Sequence, residues 1–222
     1  MFLNILIAVL IFYFIVSIYS HIYSKHKTLM ILVKALEEMS YWYDEDTGTH
    51  MKRIKEYSFF LAKKYGCSSK AAKEIYFFAS LHDIGKIGVP FELLKKKDKL
   101  ENEEFKKIKN HSLIGFNIIK TLNIGAVAAN ITKYHHEKWD GEGYPEGLKG
   151  KNIPLEARIV AIADVYDALR QARSYKPSFS HQKAVEIISS NKDTHFDPKL
   201  VEIFLQNNIK FKKIFDRYDE RK

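Results

Sequence analysis

Four histidines, His50, His82, His111 and His135, each fall on the apolar stripe of a separate helix-like segment. His50 lines up with Ile54, Tyr57, Leu61 and Tyr65, and His82 follows Ile75, Phe78 and Ala79. His111 joins Phe105, Ile108, Gly115 and Leu122, and His135 follows Val127, Ala128 and Ile131. Steps of three and four residues return a side chain to one helix face. Each imidazole is therefore expected to turn inward, and a chain that does this from four helices must gather them around one centre. No strand alternation or internal repeat breaks the pattern, so the expected fold is all-α, a helical bundle. A fifth segment, from Arg158 to Leu169, is apolar nearly all round, and Pro154 suits its first turn. It reads as a central helix whose interruptions are Asp164 and Asp167, ionised groups that need partners when buried. Asp197-Pro198 reads as the cap and first residue of a last helix carrying Val201, Phe204 and Leu205.

A lone histidine on an apolar face is more often a core residue bonded to a neighbour than a ligand. The joint pattern points instead to metal, as helical bundles commonly build such sites from inward side chains. Asp83 and His136 double the donor supply at two points, and Asp46, four residues before His50, can share its face. Asp46, His50, His82, Asp83, His111, His135, His136 and Asp164 exceed one coordination sphere, so at least two cations are expected. Imidazole and carboxylate without thiolate suit Fe or Mn, with Zn as the alternative. The single cysteine, Cys67, excludes a thiolate cluster and an internal disulfide framework.

Two or three neighbouring divalent metals activate water and clamp a phosphoryl group. His82, Asp83, Lys86 and Asp164 are the expected catalytic set, and Lys86, Arg173 and Lys176 could neutralise phosphate oxygens. The formal net charge of +9 favours an anionic partner. Glycines 141, 143 and 147 flank Tyr144-Pro145 in a loop after the double histidine, where Tyr144 could stack on a nucleobase. Nucleic acid is disfavoured, because the tail from Lys210 to Lys222 alternates in sign.

Residues 2–20 are almost wholly apolar, about the length that crosses a bilayer, and Lys25, His26 and Lys27 follow. The expected organisation is a transmembrane anchor over 1–22, a connecting helix over 23–45, a catalytic body over 46–209 and a charged C-terminal tail over 210–222. The positive flank would put the body in the cytoplasm, making a single-pass protein of the cytoplasmic membrane. Regulation would then enter through the membrane, a homodimer formed by that helix, or a partner protein.

These residues together resemble the HD-GYP phosphodiesterases, the subgroup of HD-superfamily hydrolases that cleave the bacterial second messenger cyclic di-GMP. The resemblance rests on Asp46-Thr47-Gly48-Thr49-His50 with Arg53, HDIGKIGVP at 82–90, His111 with Gly115, HHEKWDGEGYP at 135–145, GLKGKNIPLEARIVAIADVYDAL at 147–169, and RSYK at 173–176. It implies that His50, His82, Asp83, His111, His135, His136 and Asp164 are metal ligands in a bacterial enzyme. It implies that Lys86, Arg173 and Lys176 contact phosphate, and that Asp167, with Tyr144 and Pro145, lies near the metals or substrate. Family members with three metals carry a glutamate where this chain has Asp46, one methylene shorter, so the centre is binuclear or, with Asp46, trinuclear. The products would be linear pGpG, GMP or both, released by a metal-activated water rather than a covalent protein nucleophile. A receptor that binds without turnover and a hydrolase of mixed cyclic GMP-AMP are the alternatives. Arg170-Gln171 and Ser174 depart from the family pattern beside the phosphate contacts.

Overall fold

In the computed structural model the described residues are 2–43, 48–96, 98, 100–171 and 178–218. They form α-helices joined by 3-10 turns, with a single isolated bridge between Lys192 and Phe196 and no strand. The all-α expectation therefore holds. The chain divides into two compact units, Met1–Leu36 and Glu37–Lys222.

The N-terminal expectation does not hold. A continuous helix, α1 (Phe2–Tyr43), runs through the expected boundary between anchor and connector. Among the described residues no helix is long and apolar enough to cross a membrane. The structure therefore does not support the transmembrane anchor or the single-pass inner-membrane location built on it.

In the second unit, α2 (Gly48–Tyr65) buries His50, Met51, Arg53, Ile54, Tyr57, Ser58, Leu61 and Ala62, one face at helical spacing. It packs on α3 (Ser69–Phe78), which starts where the Ser68 hydroxyl accepts from the Ala71 amide. The expected helix through His82 stops at Phe78. The chain then tightens into two 3-10 turns, Ala79–Leu81 and Ile84–Gly88, with His82 and Asp83 between them. Two short helices follow, α4 (Phe91–Lys95) and α5 (Asn102–Lys109), the latter opened by a reciprocal cap between Glu101 and Glu104.

Phe105 and His111 were expected on one helix. Asn110 separates them, and α6 (His111–Leu122) begins on the histidine itself. Next come α7 (Ala126–Tyr134) and α8 (Leu155–Arg170), which lies against α2, α7, α9 (His181–Ser190) and α10 (Pro198–Gln206). The apolar surround explains why α8 buries Ala157, Ile159 to Ala163, Tyr166 and Asp167. Asp197 caps α10 as expected, accepting from the Lys199 and Leu200 amides, with Pro198 in its first turn.

Within the stretch expected as a charged tail lies α11 (Asn208–Arg217), which buries Phe211, Ile214 and Phe215. Spacing of three and four carries these onto one face, while the lysines between them stay outward. The Phe211 ring stacks flat on Tyr57 at 4.7 Å between centroids. The packed body thus continues past residue 209. Phe211→Ala is expected to lower unfolding free energy by about 3–5 kcal/mol, the usual range for deleting a buried ring. Urea denaturation checks this, and a loss under about 1 kcal/mol would return α11 to the role of a loose tail.

Candidate metal centre

Two groups of donors meet inside the body. One comprises Asp83, His111, His135 and His136, and the other His50, His82 and Asp164; within each group the donor atoms lie within 4.8 Å of one another. They come from α2 (His50), the junction of two 3-10 turns (His82 and Asp83), the start of α6 (His111), the end of α7 (His135 and His136) and the middle of α8 (Asp164). Seven of the eight expected ligands are thereby brought together. Asp46 lies outside the described residues, as do Arg173 and Lys176.

The imidazoles are aimed by their outer nitrogens. His82 Nδ1 donates to Ala79 O at 2.9 Å, His111 Nδ1 to Ile108 O at 2.7 Å, and His135 Nδ1 to Ile131 O at 3.0 Å. A carbonyl only accepts, so Nδ1 carries the proton and Nε2 is left with a lone pair facing inward. His50 is held differently: its Nδ1 donates to Asp167 Oδ2 at 2.7 Å. The Nε2 atoms converge on Asp83, whose Oδ1 is 3.2 Å from His111 and 3.6 Å from His135, and whose Oδ2 is 3.4 Å from His82. Across the other group, Asp164 Oδ1 is 3.7 Å from His50 Nε2 and 3.8 Å from His82 Nε2.

His82 Nε2 and Asp83 Oδ1 are buried without a hydrogen-bond partner among the described residues. Orphaned buried polar atoms are costly, and two that both offer lone pairs in one site suit a cation. The titration behaviour agrees. Burial holds His135 below its ordinary value, and burial with the neighbouring His135 and His111 holds His136 well below it, so both offer neutral imidazole. Burial also opposes a charge on His82, but Asp83 and Asp164 outweigh it and push the imidazole up to about 9. A cation arriving there replaces that proton. Burial would raise the Asp83 carboxyl, yet Lys86 and His82 beside it hold it well below the usual carboxylate range.

Lys86 Nζ sits 2.8 Å from Asp83 Oδ2, a half-buried cation at the rim of the donor set. The Tyr144 ring stacks on His136 at 4.7 Å, and Lys109 Nζ is 5.1 Å from its centroid, so the ring proposed for a nucleobase already has neighbours. The Tyr144-Pro145 peptide is cis. Asp167, expected near the metals or substrate, stands behind His50. It is 0% exposed, and its oxygens accept from His50 Nδ1, from Arg53 Nε at 2.6 Å and from Arg53 Nη2 at 2.8 Å. Those bonds turn Asp167 toward His50 and Arg53.

Sequence reasoning left two supports unassigned. Arg53 stands three residues after His50, on the same face, which was the available signal. Glu137 follows the double histidine directly. Its buried carboxylate accepts from the backbone amides of Glu146, Gly147 and Leu148 at 2.8–3.1 Å and so pins the loop that carries Tyr144.

The same loop rests on the segment before α10, where Trp139 N donates to His195 O at 3.1 Å and Asp140 N to Thr194 O at 2.8 Å. Burial, with Lys138 nearby, pushes the His195 imidazole down to about 4. Between that value and the unfolded ~6.5 the unfolded chain binds the extra proton, so stability falls as pH drops through this window and levels off below it. Urea unfolding of metal-free protein at pH 7 and pH 4.5 should show a loss of up to roughly 3 kcal/mol from this group. His195→Gln should make that step smaller; an unchanged step would remove His195 as its source.

Comparison with known proteins follows the same lines. The HD domain family model matches residues 31–200. A cyclic di-GMP phosphodiesterase of Vibrio cholerae is 42% identical over 82% of this chain and 40% of its own length. A 3'3'-cGAMP-specific phosphodiesterase, also of Vibrio cholerae, is 39% identical over 79% of this chain and 33% of its own. The chain thus spans less than half the length of either curated relative. The crystal structure of a cyclic GMP-AMP specific phosphodiesterase of the same organism superposes with a TM-score of 0.63 at 20% identity. It covers 86% of this chain and 50% of that one, a likeness of fold.

Proposed function

This chain belongs to the HD domain family, and from that premise we propose that it is a metal-dependent phosphodiesterase that hydrolyses cyclic di-GMP to linear pGpG, to GMP or to both. One observation carries the reading: two donor groups share a single carboxylate, with Asp83 Oδ1 toward His111 and His135 and Oδ2 toward His82. On this reading His50, His82 and Asp164 hold one divalent cation, His111, His135 and His136 hold another, and Asp83 serves both. The absence of thiolate among the donors supports Fe or Mn. When bound, such a pair activates water at neutral pH and neutralises phosphoryl oxygens.

The protein's own contribution is placement. Backbone carbonyls fix three imidazoles in one tautomer, and burial keeps His135 and His136 neutral. Lys86, half-buried beside Asp83, stands where negative charge builds on a phosphodiester under attack. Arg173 and Lys176 are proposed as further phosphate contacts, Tyr144 and Pro145 as the wall of the nucleotide site, and Asp46 as a third-metal ligand. Water adds across one P–O bond of the ring and opens it to the linear dinucleotide.

A related specificity is favoured by the relative named for 3'3'-cGAMP. One assay separates the readings. The full chain, loaded anaerobically with Fe(II) or Mn(II), is given cyclic di-GMP or 3'3'-cGAMP and the products are resolved by chromatography. Metal-dependent conversion of cyclic di-GMP is the expected result, and conversion of 3'3'-cGAMP alone would reassign the substrate. Metal-loaded protein that binds a dinucleotide and leaves it intact would replace the enzyme with a receptor.

A further inference from the structure

His50 is supported differently from His82, His111 and His135. His82, His111 and His135 lean on backbone carbonyls of their own or adjoining turns, three or four residues earlier in the chain. His50 leans on Asp167, from another helix, and Asp167 in turn is gripped by the fork of Arg53. Arg53 is itself 2% exposed, so its guanidinium plane is set inside the protein. What lies beneath that plane is the ring of Phe215 on α11. Arg53 Cζ is 5.0 Å from its centroid, and Arg170 Cζ is 4.6 Å from the same centroid.

A buried aromatic face attracts a guanidinium and also orients it, because the cation packs flat against the quadrupole. A bidentate grip on a carboxylate needs that orientation, since both N–H donors must lie in the carboxylate plane. We propose that Phe215 is a positioning residue for the metal centre: through Arg53 and Asp167 it fixes the imidazole of His50, and it does so for one donor group and not the other. The C-terminal helix is then a component of the site, acting through Arg53 and Asp167. The proposal rests on the metal-centre reading above.

Mn(II) alone is the probe, added anaerobically to the full chain. Two readouts are taken: equivalents bound at equilibrium, and the electron paramagnetic resonance spectrum, which separates an exchange-coupled pair from an isolated ion. Wild type should bind two equivalents and show the coupled signal. Phe215→Leu keeps apolar bulk and removes the ring face. It should weaken one equivalent about 10–100-fold, the usual cost of losing an outer support, and convert the spectrum to that of an isolated ion. Phe215→Tyr keeps the ring and should restore both sites. Phe204→Leu is the control for general damage, a buried ring packed on Tyr166 and Phe211. It should lower thermal stability and leave both equivalents in place.

Wild-type affinity and a coupled signal in Phe215→Leu would overturn the proposal, as would equal weakening by Phe204→Leu. Fewer than two equivalents in the wild type would instead sink the metal-centre reading on which it stands.

Discussion

Asp83→Ala is expected to lower the rate of cyclic di-GMP hydrolysis by roughly a thousandfold or more, with the fold intact. Among the described residues Asp83 is the carboxylate whose oxygens face both donor groups. Removing it takes one ligand from each group at once, whereas removing His50 or His136 takes a ligand from one. Charge stabilisation by a bound divalent metal is worth several kcal/mol in the transition state, and about 1.4 kcal/mol corresponds to a tenfold change in rate. A loss of two to three such decades follows if either cation is misplaced, and more if both are lost. The deletion also removes a counter-charge from beside Lys86 and His82, which further opposes a second cation. Steady-state kinetics beside bound-metal analysis tests this, with far-ultraviolet circular dichroism as the check on folding. A folded Asp83→Ala protein that keeps kcat within tenfold of wild type would remove Asp83 from the centre of the mechanism.

What could be read in advance followed the reach of each physical signal. The inward histidines were legible because a helical stripe needs only local spacing, and α2, α6 and α7 deliver His50, His111 and His135 to one place. Asp164 was legible because a carboxylate on an otherwise apolar helix has few ways to be satisfied. Asp167, three residues on, obeyed the same rule, but its partner was chosen by tertiary packing: Arg53 lies 114 positions away in sequence. The segment around His82 was expected as helix. It is drawn into 3-10 turns, and no local propensity announced that close approach of α6 would tighten it. Phe211, Ile214 and Phe215 kept a readable stripe, yet the lysines between them made composition outvote periodicity. The N-terminal run misled in the opposite sense. Its apolarity reads as a span, while among the described residues no helix is long and apolar enough to cross a membrane.

Gly85→Ala is expected to be nearly as damaging as Asp83→Ala, by adding one carbon. A Cβ at Gly85 would lie 1.9 Å from the carbonyl oxygen of His111 and 2.4 Å from the amide nitrogen of Gly115. Both are backbone atoms at the start of α6, so no side chain can swing aside. Gly115 is closed too: its own Cβ would come within 2.4 Å of Thr132 Cγ2 on α7 and 3.0 Å of the Gly85 amide nitrogen. The 3-10 turn, α6 and α7 therefore touch through two glycines, and that contact sets the 3.2 Å between Asp83 and His111. Relief of the overlap requires α6 to back away, carrying His111 with it. Overpacking of a tight core costs about 1–3 kcal/mol, and a backbone clash belongs at or above the top of that range.

The variant should accordingly lose stability in urea and also lose the cation held by His111, His135 and His136. Gly66→Ala separates the two effects. Its φ of +105 is unfavourable for alanine, while its Cβ would meet nothing within 4 Å, so it should cost about 1–2 kcal/mol and leave metal binding unchanged. Gly85→Ala protein that takes up Mn(II) as wild type does would show that the glycine contact is packing alone. Loss of uptake at a stability no lower than that of Gly66→Ala would show that the spacing of the metal centre, more than the fold around it, is what Gly85 holds.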